Sequence, residues 1–178
     1  MSKEPSYNIR SLFNMRRDMS IGFYITDFLF RKLFRQNSGV KWAIHHTATI
    51  HNPEKIVRGK NVYPGDSPGI YINASNGFYI GDYTNLGPNV GIISANHDAV
   101  NNAAHVAAEP IRIGRFCWLG MGAVILPQVQ LADFIIVGAG AVVTKSFTEG
   151  YCVIAGNPAK VIKHLNKQEC DAFAKSKK

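Results

Sequence analysis

The fold of this chain is decided by residues 113–143, which read IGRFCW-LGMGAV-ILPQVQ-LADFII-VGAGAV-V. An aliphatic residue stands at every sixth position from Ile113 to Val143, and glycine or alanine follows most of these residues. An α-helix would repeat its apolar positions about every 3.6 residues, and a half-buried strand about every 2. A strict period of six therefore favours a coil of short strands joined by tight turns.

The period predicts an all-β solenoid, a parallel β-helix of hexapeptide repeats over residues 41–156. In such a coil each short strand points one aliphatic side chain inward, and the small residue behind it lets the backbone turn close to the interior. The turn-forming stretch 64–69 predicts a bulge or corner loop in an early coil. The same register runs upstream through Ile44, Ile50, Ile56, Val62, Ile80, Leu86 and Ile92, with Pro68 and Ala74 as misfits.

A loop is predicted at residues 96–112. The aliphatic positions that end at Ile92 and those that begin at Ile113 differ in phase by three residues, so extra chain must leave the solenoid between them. The loop begins with Asn96, His97 and Asp98. Insertions in a solenoid gather on one face, which is commonly the binding face. We therefore expect the functional site beside this loop.

Residues 1–40 are predicted to form an N-terminal helical segment, whose helix begins at the N-cap Ser20 and extends to Arg35. This helix is too short and too often interrupted by charge to span a bilayer. Its apolar residues lie on both sides, so it needs two apolar neighbours. They are Ile21, Tyr24, Ile25, Phe28 and Leu29 on one side, and Phe23, Phe30, Leu33 and Phe34 on the other.

Two partners could cover the second side of this helix. One is the solenoid or a neighbouring subunit, which would make the helix a packing element. The other is a membrane surface in contact with residues 21–35, where an interfacial helix gains from buried apolar area and from attraction to anionic lipid. In that alternative Phe23, Phe30, Leu33 and Phe34 face lipid, and Arg31, Lys32 and Arg35 meet the head groups.

The C-terminal region, residues 157–178, is predicted to be a capping helix with a basic tail. Asn157 is the expected N-cap and Pro158 stands in the first turn, and the helix would continue towards Phe173. A solenoid with an open end is an aggregation hazard, so we expect this helix to cover the last coil.

Composition limits the class of protein and of partner. A net charge of +8 indicates an anionic partner, and no recognised nucleic-acid motif accompanies the basic residues. Cys117, Cys152 and Cys170 share no metal-ligand spacing and are interpreted as reduced thiols. No signal peptide opens the chain, so a cytoplasmic protein is expected, with the membrane contact above as a possible peripheral attachment.

Four motifs in order resemble the acyl-CoA-dependent hexapeptide acyltransferases, most closely the maltose, galactoside and colanic-acid-type O-acetyltransferases. They are Asn96-His97-Asp98, the run from Ile113 through Cys117-Trp118-Leu-Gly, the stretch from Val137 to Thr144-Lys145, and Gly156-Asn-Pro-Ala-Lys-Val-Ile. The resemblance covers about residues 44–165. It implies a left-handed β-helix, a homotrimer and an active site in each cleft between neighbouring prisms.

The resemblance also implies roles for individual residues. His97 would be the general base that deprotonates an acceptor hydroxyl as it attacks the thioester of acetyl-CoA, because a histidine with a pKa near 6.5 can do so at neutral pH. Asn96 and Trp118 would line the substrate site. No metal is implied. The donor-binding residues would be Gly120 and Ala139 for pantetheine, with Gly120 also a candidate oxyanion donor, and Thr144, Lys145, Lys160 and Lys163 for the phosphates.

The expected acceptor is a sugar hydroxyl of a surface polysaccharide or its precursor, although residues 64–77 do not match the sugar-specific branches. Another small hydroxyl or amine acceptor is an alternative. A γ-type carbonic anhydrase would need three histidines on zinc; His46 and His51 have a suitable spacing but precede His97 in the wrong order. A non-enzymatic scaffold would leave the loop with His97 unexplained.

Overall fold

The computed structural model describes residues 15–16 and 18–177, so most of the polar N-terminal stretch and Lys178 lie outside the described residues. Sixteen short strands form three main sheets, in which all pairs are parallel except the last pair of the third sheet. The first sheet contains β1 (Thr49–His51), β3 (Tyr71–Asn73), β6 (Gly91–Ile93), β11 (Val124–Ile125) and β14 (Val142–Val143). The second contains β2 (Ile56–Arg58), β4 (Phe78–Ile80), β9 (Ile111–Ile113) and β12 (Gln130–Leu131). The third contains β5 (Asn85–Leu86), β10 (Trp118–Leu119), β13 (Ile135–Val137), β15 (Cys152–Ala155) and β16 (Lys160–His164).

The chain visits the three sheets in a repeated order. Trp118 pairs with Ile136 and Val124 pairs with Val142, a separation of 18 residues in each case, which is three hexapeptides. The inward position of each repeat is buried, with Leu119, Ile125 and Val137 fully inaccessible to solvent. The prediction of hexapeptide repeats in parallel sheets is therefore confirmed.

Both predicted irregularities of the solenoid are present. Thr49 pairs with Tyr71, 22 residues further on, which is four residues more than a regular coil, and residues 64–69 of this coil form turns. Tyr79 pairs with Arg112, 33 residues further on, so 15 residues leave the solenoid there. They include an antiparallel hairpin made of β7 (Asn96–His97) and β8 (His105–Val106). The loop is thus a hairpin with a defined stem.

The N-terminal helix α1 (Ile21–Phe28) begins as predicted, with the Ser20 hydroxyl accepting a hydrogen bond from the Phe23 amide at 3.1 Å, and continues as a π-helix over Leu29–Leu33. Asp27 is only 5% exposed because it accepts two hydrogen bonds from Arg31, at 2.9 and 2.6 Å, and one from the Ile44 amide. These bonds dock the helix on the first coil. No helix among residues 15–16 and 18–177 is both long and apolar enough to cross a membrane.

The expected orientation of this helix towards lipid is wrong in part. Phe30 packs against the His46 ring at 4.8 Å and Phe23 is half-buried, so both lie on the protein side. Arg31 is held by Asp27 and cannot meet head groups at the same time. The exposed apolar side chains are instead Ile21, Ile25, Phe28, Leu29, Leu33 and Phe34.

The predicted C-terminal helix begins nine residues late. Asn157 does not cap a helix; β16 follows and pairs antiparallel with β15, and α2 (Lys167–Lys175) begins only after the N-cap Asn166. The β-branched pair Val161 and Ile162 favours extended backbone, and the open edge of β15 offers it a partner. Strand β16, rather than a helix, covers that edge.

Helix α2 lies along a corner of the solenoid rather than over its end. At this corner Tyr83, Phe116, Phe134 and Tyr151 stack with centroid distances of 5.2, 4.9 and 5.3 Å. Phe173 of α2 packs edge-on against Phe116, and the Tyr151 hydroxyl donates to Asp171 at 2.8 Å. The helix is therefore held by aromatic side chains from several coils.

Candidate active site

His97 lies at the root of the hairpin and is exposed. Its Nδ1 is 2.5 Å from the Asn102 carbonyl oxygen, and since a carbonyl only accepts, Nδ1 is the protonated nitrogen of the neutral ring. The lone pair of the imidazole is then on Nε2. The next residue, Asp98, accepts hydrogen bonds from the amides of Asn101 and Val100, which hold the pKa of this carboxyl below its usual range. A base and a permanent carboxylate thus share one turn.

Asn76 closes the hairpin at its root, a role that the sequence analysis missed. Its side-chain amide donates to the carbonyl of Ser94 at 2.9 Å and to that of Val106 at 3.2 Å, one on each side of the insertion. Its backbone amide donates to the Ser94 hydroxyl, which is fully buried. Ser94 follows Asn76 by 18 residues, one regular coil, so the repeat itself was the signal that could have paired them.

Asn96 is exposed and pairs with Val106 in the stem of the hairpin. Trp118 lies on β10 of the third sheet, 55% exposed, between Asn85 and Ile136 on the adjacent strands. It borders a largely apolar cavity of about 630 Å³ that is also lined by α2 and the stacked aromatic residues, and by no residue of the hairpin. A single protomer therefore does not bring His97 and Trp118 into one pocket. Asn85, beside Trp118, was not singled out from the sequence.

Gly120 is needed for packing, and its expected role as an oxyanion donor is not supported. Its N–H already donates to the Val137 carbonyl at 2.8 Å, and a Cβ here would lie 2.7 Å from the Ala139 nitrogen. Among the described residues, the N–H of exposed Ala139 is given no acceptor. The amide able to reach a ligand at this corner is therefore that of Ala139.

The four residues expected at the phosphates of the donor are all exposed at the C-terminal end of the solenoid. Thr144 and Lys145 follow β14, and Lys145 borders a cavity of about 240 Å³. Lys160 pairs with Ala155 and Lys163 with Val153, across a bulge in β16. Ala155 and Val153 are two residues apart and share a face, so the bulge brings both lysines to one side of the sheet. Their odd spacing alone would have separated them.

The remaining nucleophiles and histidines are occupied by packing. Burial raises the pKa of the Cys117 thiol to about 11, which makes it a poor nucleophile at neutral pH. His46 packs between Phe30 and His45, and His51 packs against Tyr71. Within the described ranges no three His, Cys, Asp or Glu side chains are grouped as a metal ion would require.

Comparison with known proteins places this arrangement in a family. No family model matches the chain. A protein of Dictyostelium discoideum named as an acetyltransferase is 46% identical over 89 residues, 48% of this chain and 46% of that protein, so the chain spans about half the length of this relative. WcaF of Escherichia coli, named as an acetyltransferase of colanic acid biosynthesis, is 31% identical over 138 residues, 78% of this chain and 74% of WcaF.

Solved structures agree with these relatives. The maltose O-acetyltransferase of Clostridium difficile superposes with a TM-score of 0.60 at 30% identity, covering 67% of this chain and 64% of that one. A hexapeptide-repeat acetyltransferase of Vibrio cholerae, solved with acetyl coenzyme A, shares the fold with a TM-score of 0.61 at 20% identity, over 67% and 66% of the two chains. With repeats, loop and sheet register as described above, this chain belongs to the hexapeptide-repeat acetyltransferases.

Proposed function

We propose that this protein transfers an acetyl group from acetyl-CoA to a hydroxyl group of a glycan, with His97 as the general base. The observation that carries the proposal is the hydrogen bond from His97 Nδ1 to the Asn102 carbonyl, which orients the ring and leaves the basic lone pair on Nε2. Nε2 takes the proton of the acceptor hydroxyl while its oxygen attacks the thioester carbonyl. The imidazolium then returns that proton to the departing thiolate, so no acyl-enzyme forms.

The resting charges around His97 suit this cycle. The imidazolium that forms midway keeps its hydrogen bond to the Asn102 carbonyl, and the carboxylate of Asp98 is in the same turn. Ala139 has the amide that can bind the thioester oxygen or the pantetheine. Asn96 and Trp118 would line the acceptor side, and Thr144, Lys145, Lys160 and Lys163 the phosphates. Acetyl-CoA in the Vibrio structure and the sugar acceptor named for the Clostridium enzyme support these assignments.

We propose that the active form is a homotrimer of left-handed β-helices. His97 leaves the solenoid between the first and second sheets, whereas Trp118 faces outward from the third. A cleft between two neighbouring prisms would bring these faces together, and three such clefts close a ring.

The experiment that tests the function is an acceptor screen that follows the release of coenzyme A thiol, repeated with the His97→Ala variant. With a good acceptor, His97→Ala should lower kcat by about 10²- to 10⁴-fold, the usual contribution of a general base, and leave the affinity for acetyl-CoA nearly intact. Near-normal turnover in the variant would remove His97 from its role. Turnover with amines and none with hydroxyl acceptors would replace the glycan assignment.

We also propose a peripheral contact with the inner face of a membrane through residues 21–35. Support comes from the outer face of α1, where Ile25 and Phe28 are 56% and 62% exposed. Lys32 and Arg35 are exposed at its C-terminal end. An apolar helix face next to basic side chains fits the boundary between anionic head groups and acyl chains.

A further inference from the structure

A cavity of about 460 Å³ lies between α1 and the first coil, at the N-terminal end of the solenoid and away from the residues proposed for acetyl transfer. This volume is in the range of small-molecule sites, about 300–1,000 Å³. Aromatic side chains form much of its wall, namely Phe23 and Tyr24 from the helix and Trp42 and Tyr63 from the coil. Arg16, Arg31, Lys41 and Arg58 supply four cationic groups, and Asp27 supplies a carboxylate.

Two of these cations are neutralised inside the protein. Arg31 is bound by Asp27, and the Arg16 guanidinium contacts Asp18 and Asp66. Asp66 is 9% exposed, and burial raises its pKa even though Arg16 acts in the opposite direction. These ion pairs hold the helix and the chain before it on the first coil, so they form the frame of the cavity.

Arg58 and Lys41 are not neutralised in this way. Within residues 15–16 and 18–177, neither has a carboxylate within 4 Å. The guanidinium of Arg58 lies 5.1 Å from the Trp42 ring and 5.4 Å from the Tyr63 ring, and its Nη1 donates to the Val62 carbonyl at 2.9 Å. Two rings and one hydrogen bond therefore fix the plane of this guanidinium while most of its N–H groups have no acceptor.

We infer that this cavity binds a phosphate group carried by an organic molecule. A fixed guanidinium plane binds a tetrahedral oxyanion through two parallel hydrogen bonds, and Lys41 adds a second positive charge that a diphosphate could meet. The aromatic walls can pack against a sugar, a base or a lipid stem attached to the phosphate. The group could come from a soluble nucleotide-linked sugar or from a lipid head group. Binding here does not depend on acetyl transfer.

Trp42 can report on this site directly. The chain has two tryptophans, so Trp118→Phe leaves Trp42 as the single indole, held by a hydrogen bond of 2.7 Å to the Pro64 carbonyl beside Arg58. This local readout is needed because Lys145, Lys160 and Lys163 at the other end would also attract phosphates. In this background we would titrate inorganic diphosphate, UDP-glucose, and phosphatidylcholine vesicles with and without phosphatidic acid, and record indole fluorescence excited away from the uridine band.

We expect a saturable change in Trp42 fluorescence with inorganic diphosphate. Arg58→Gln should weaken binding about tenfold or more, since hydrogen bonds between charged groups are lost, and Lys41→Gln should weaken it less. Arg112→Gln is the matched control, because Arg112 also stacks on an aromatic ring, Tyr79 at 4.2 Å, but outside the cavity. Circular dichroism melting would show that each variant is folded.

The two sources give different results. Tighter binding of UDP-glucose than of diphosphate assigns the cavity to a soluble nucleotide-linked sugar, and a response to phosphatidic acid vesicles that Arg58→Gln removes assigns it to a lipid phosphate. No fluorescence change with any probe at millimolar concentration, or equal affinity in folded Arg58→Gln and its parent, would overturn the inference.

Discussion

Asn76 holds together the two ends of the hairpin that carries His97. Its amide group spans from the Ser94 carbonyl to the Val106 carbonyl, so it fixes the point where the insertion leaves and rejoins the solenoid. A general base must stay within hydrogen-bond reach of its proton, and small displacements are costly. Asn76 is therefore a positioning residue for the proposed reaction, although it does not touch substrate.

Asn76→Ala should lower kcat by about ten- to a hundredfold, because the hairpin would sample positions in which His97 is out of reach. The Michaelis constant for acetyl-CoA should change little, and this split separates positioning from general damage. Ser75→Ala is the control, since Ser75 is at the same corner but its hydroxyl bonds to Asn52 and Asn73. Equal losses in both variants would mean that the corner acts only through stability.

Lys160 and Lys163 give a second prediction at the residue scale. Because the bulge in β16 places both on one side, each single change to Ala should raise the Michaelis constant for acetyl-CoA more than it lowers kcat. The effect should shrink with dephospho-acetyl-CoA if these lysines bind the 3′-phosphate. Lys55→Ala, at the opposite end of the solenoid, should leave both parameters unchanged. The same loss with both donors would place the lysines elsewhere.

At the scale of elements, α1 has one face docked and one face exposed. The docked face is held by Asp27 and Arg31 and by the stacking of Phe30 on His46. Ile25 and Phe28 of the other face contact solvent in the protomer. This division is the basis of the proposed membrane contact.

The intact protein should co-sediment with anionic liposomes, and the binding should weaken with salt. Lys32 and Arg35 contribute about 1 kcal/mol each near an anionic surface, and salt screens this attraction. Ile25→Glu and Phe28→Glu should abolish binding without loss of turnover on a soluble acceptor. Val57→Glu is the control, since Val57 is 54% exposed on the second sheet. If the α1 variants dissociate the oligomer instead, this face is a subunit contact.

At the scale of the whole molecule, the protomer separates the parts of the proposed site. If His97 of one subunit works with Trp118 of the next, two inactive variants should complement each other. We expect His97→Ala and Trp118→Ala each to be impaired alone, and co-expression to restore activity, since about a quarter of randomly mixed clefts would carry both native residues. Size-exclusion chromatography with light scattering would check for a trimer. Mixed oligomers without restored activity would place the whole site in one subunit.

The sequence alone was sufficient for the repeats, the inward residues and the extruded loop. These follow from periodicity, because an aliphatic residue every six positions can be buried only where every coil repeats the one below it, and a shift of phase at Ile113 requires an insertion. Ser20 was also found correctly, since an N-cap depends on a few neighbouring residues. Local or periodic signals thus predicted most of the solenoid and the place of the candidate base.

The tertiary structure decided the rest. Lys160–His164 became a strand because β15 has an open edge, and an edge is a property of the assembled sheet rather than of the segment. Which side of α1 is buried depended on Asp27 meeting the Ile44 amide and Phe30 meeting His46, contacts that no helical periodicity contains. The same holds for Asn76 across the hairpin and for Arg58 between Trp42 and Tyr63, since these groups become neighbours only when the coils stack.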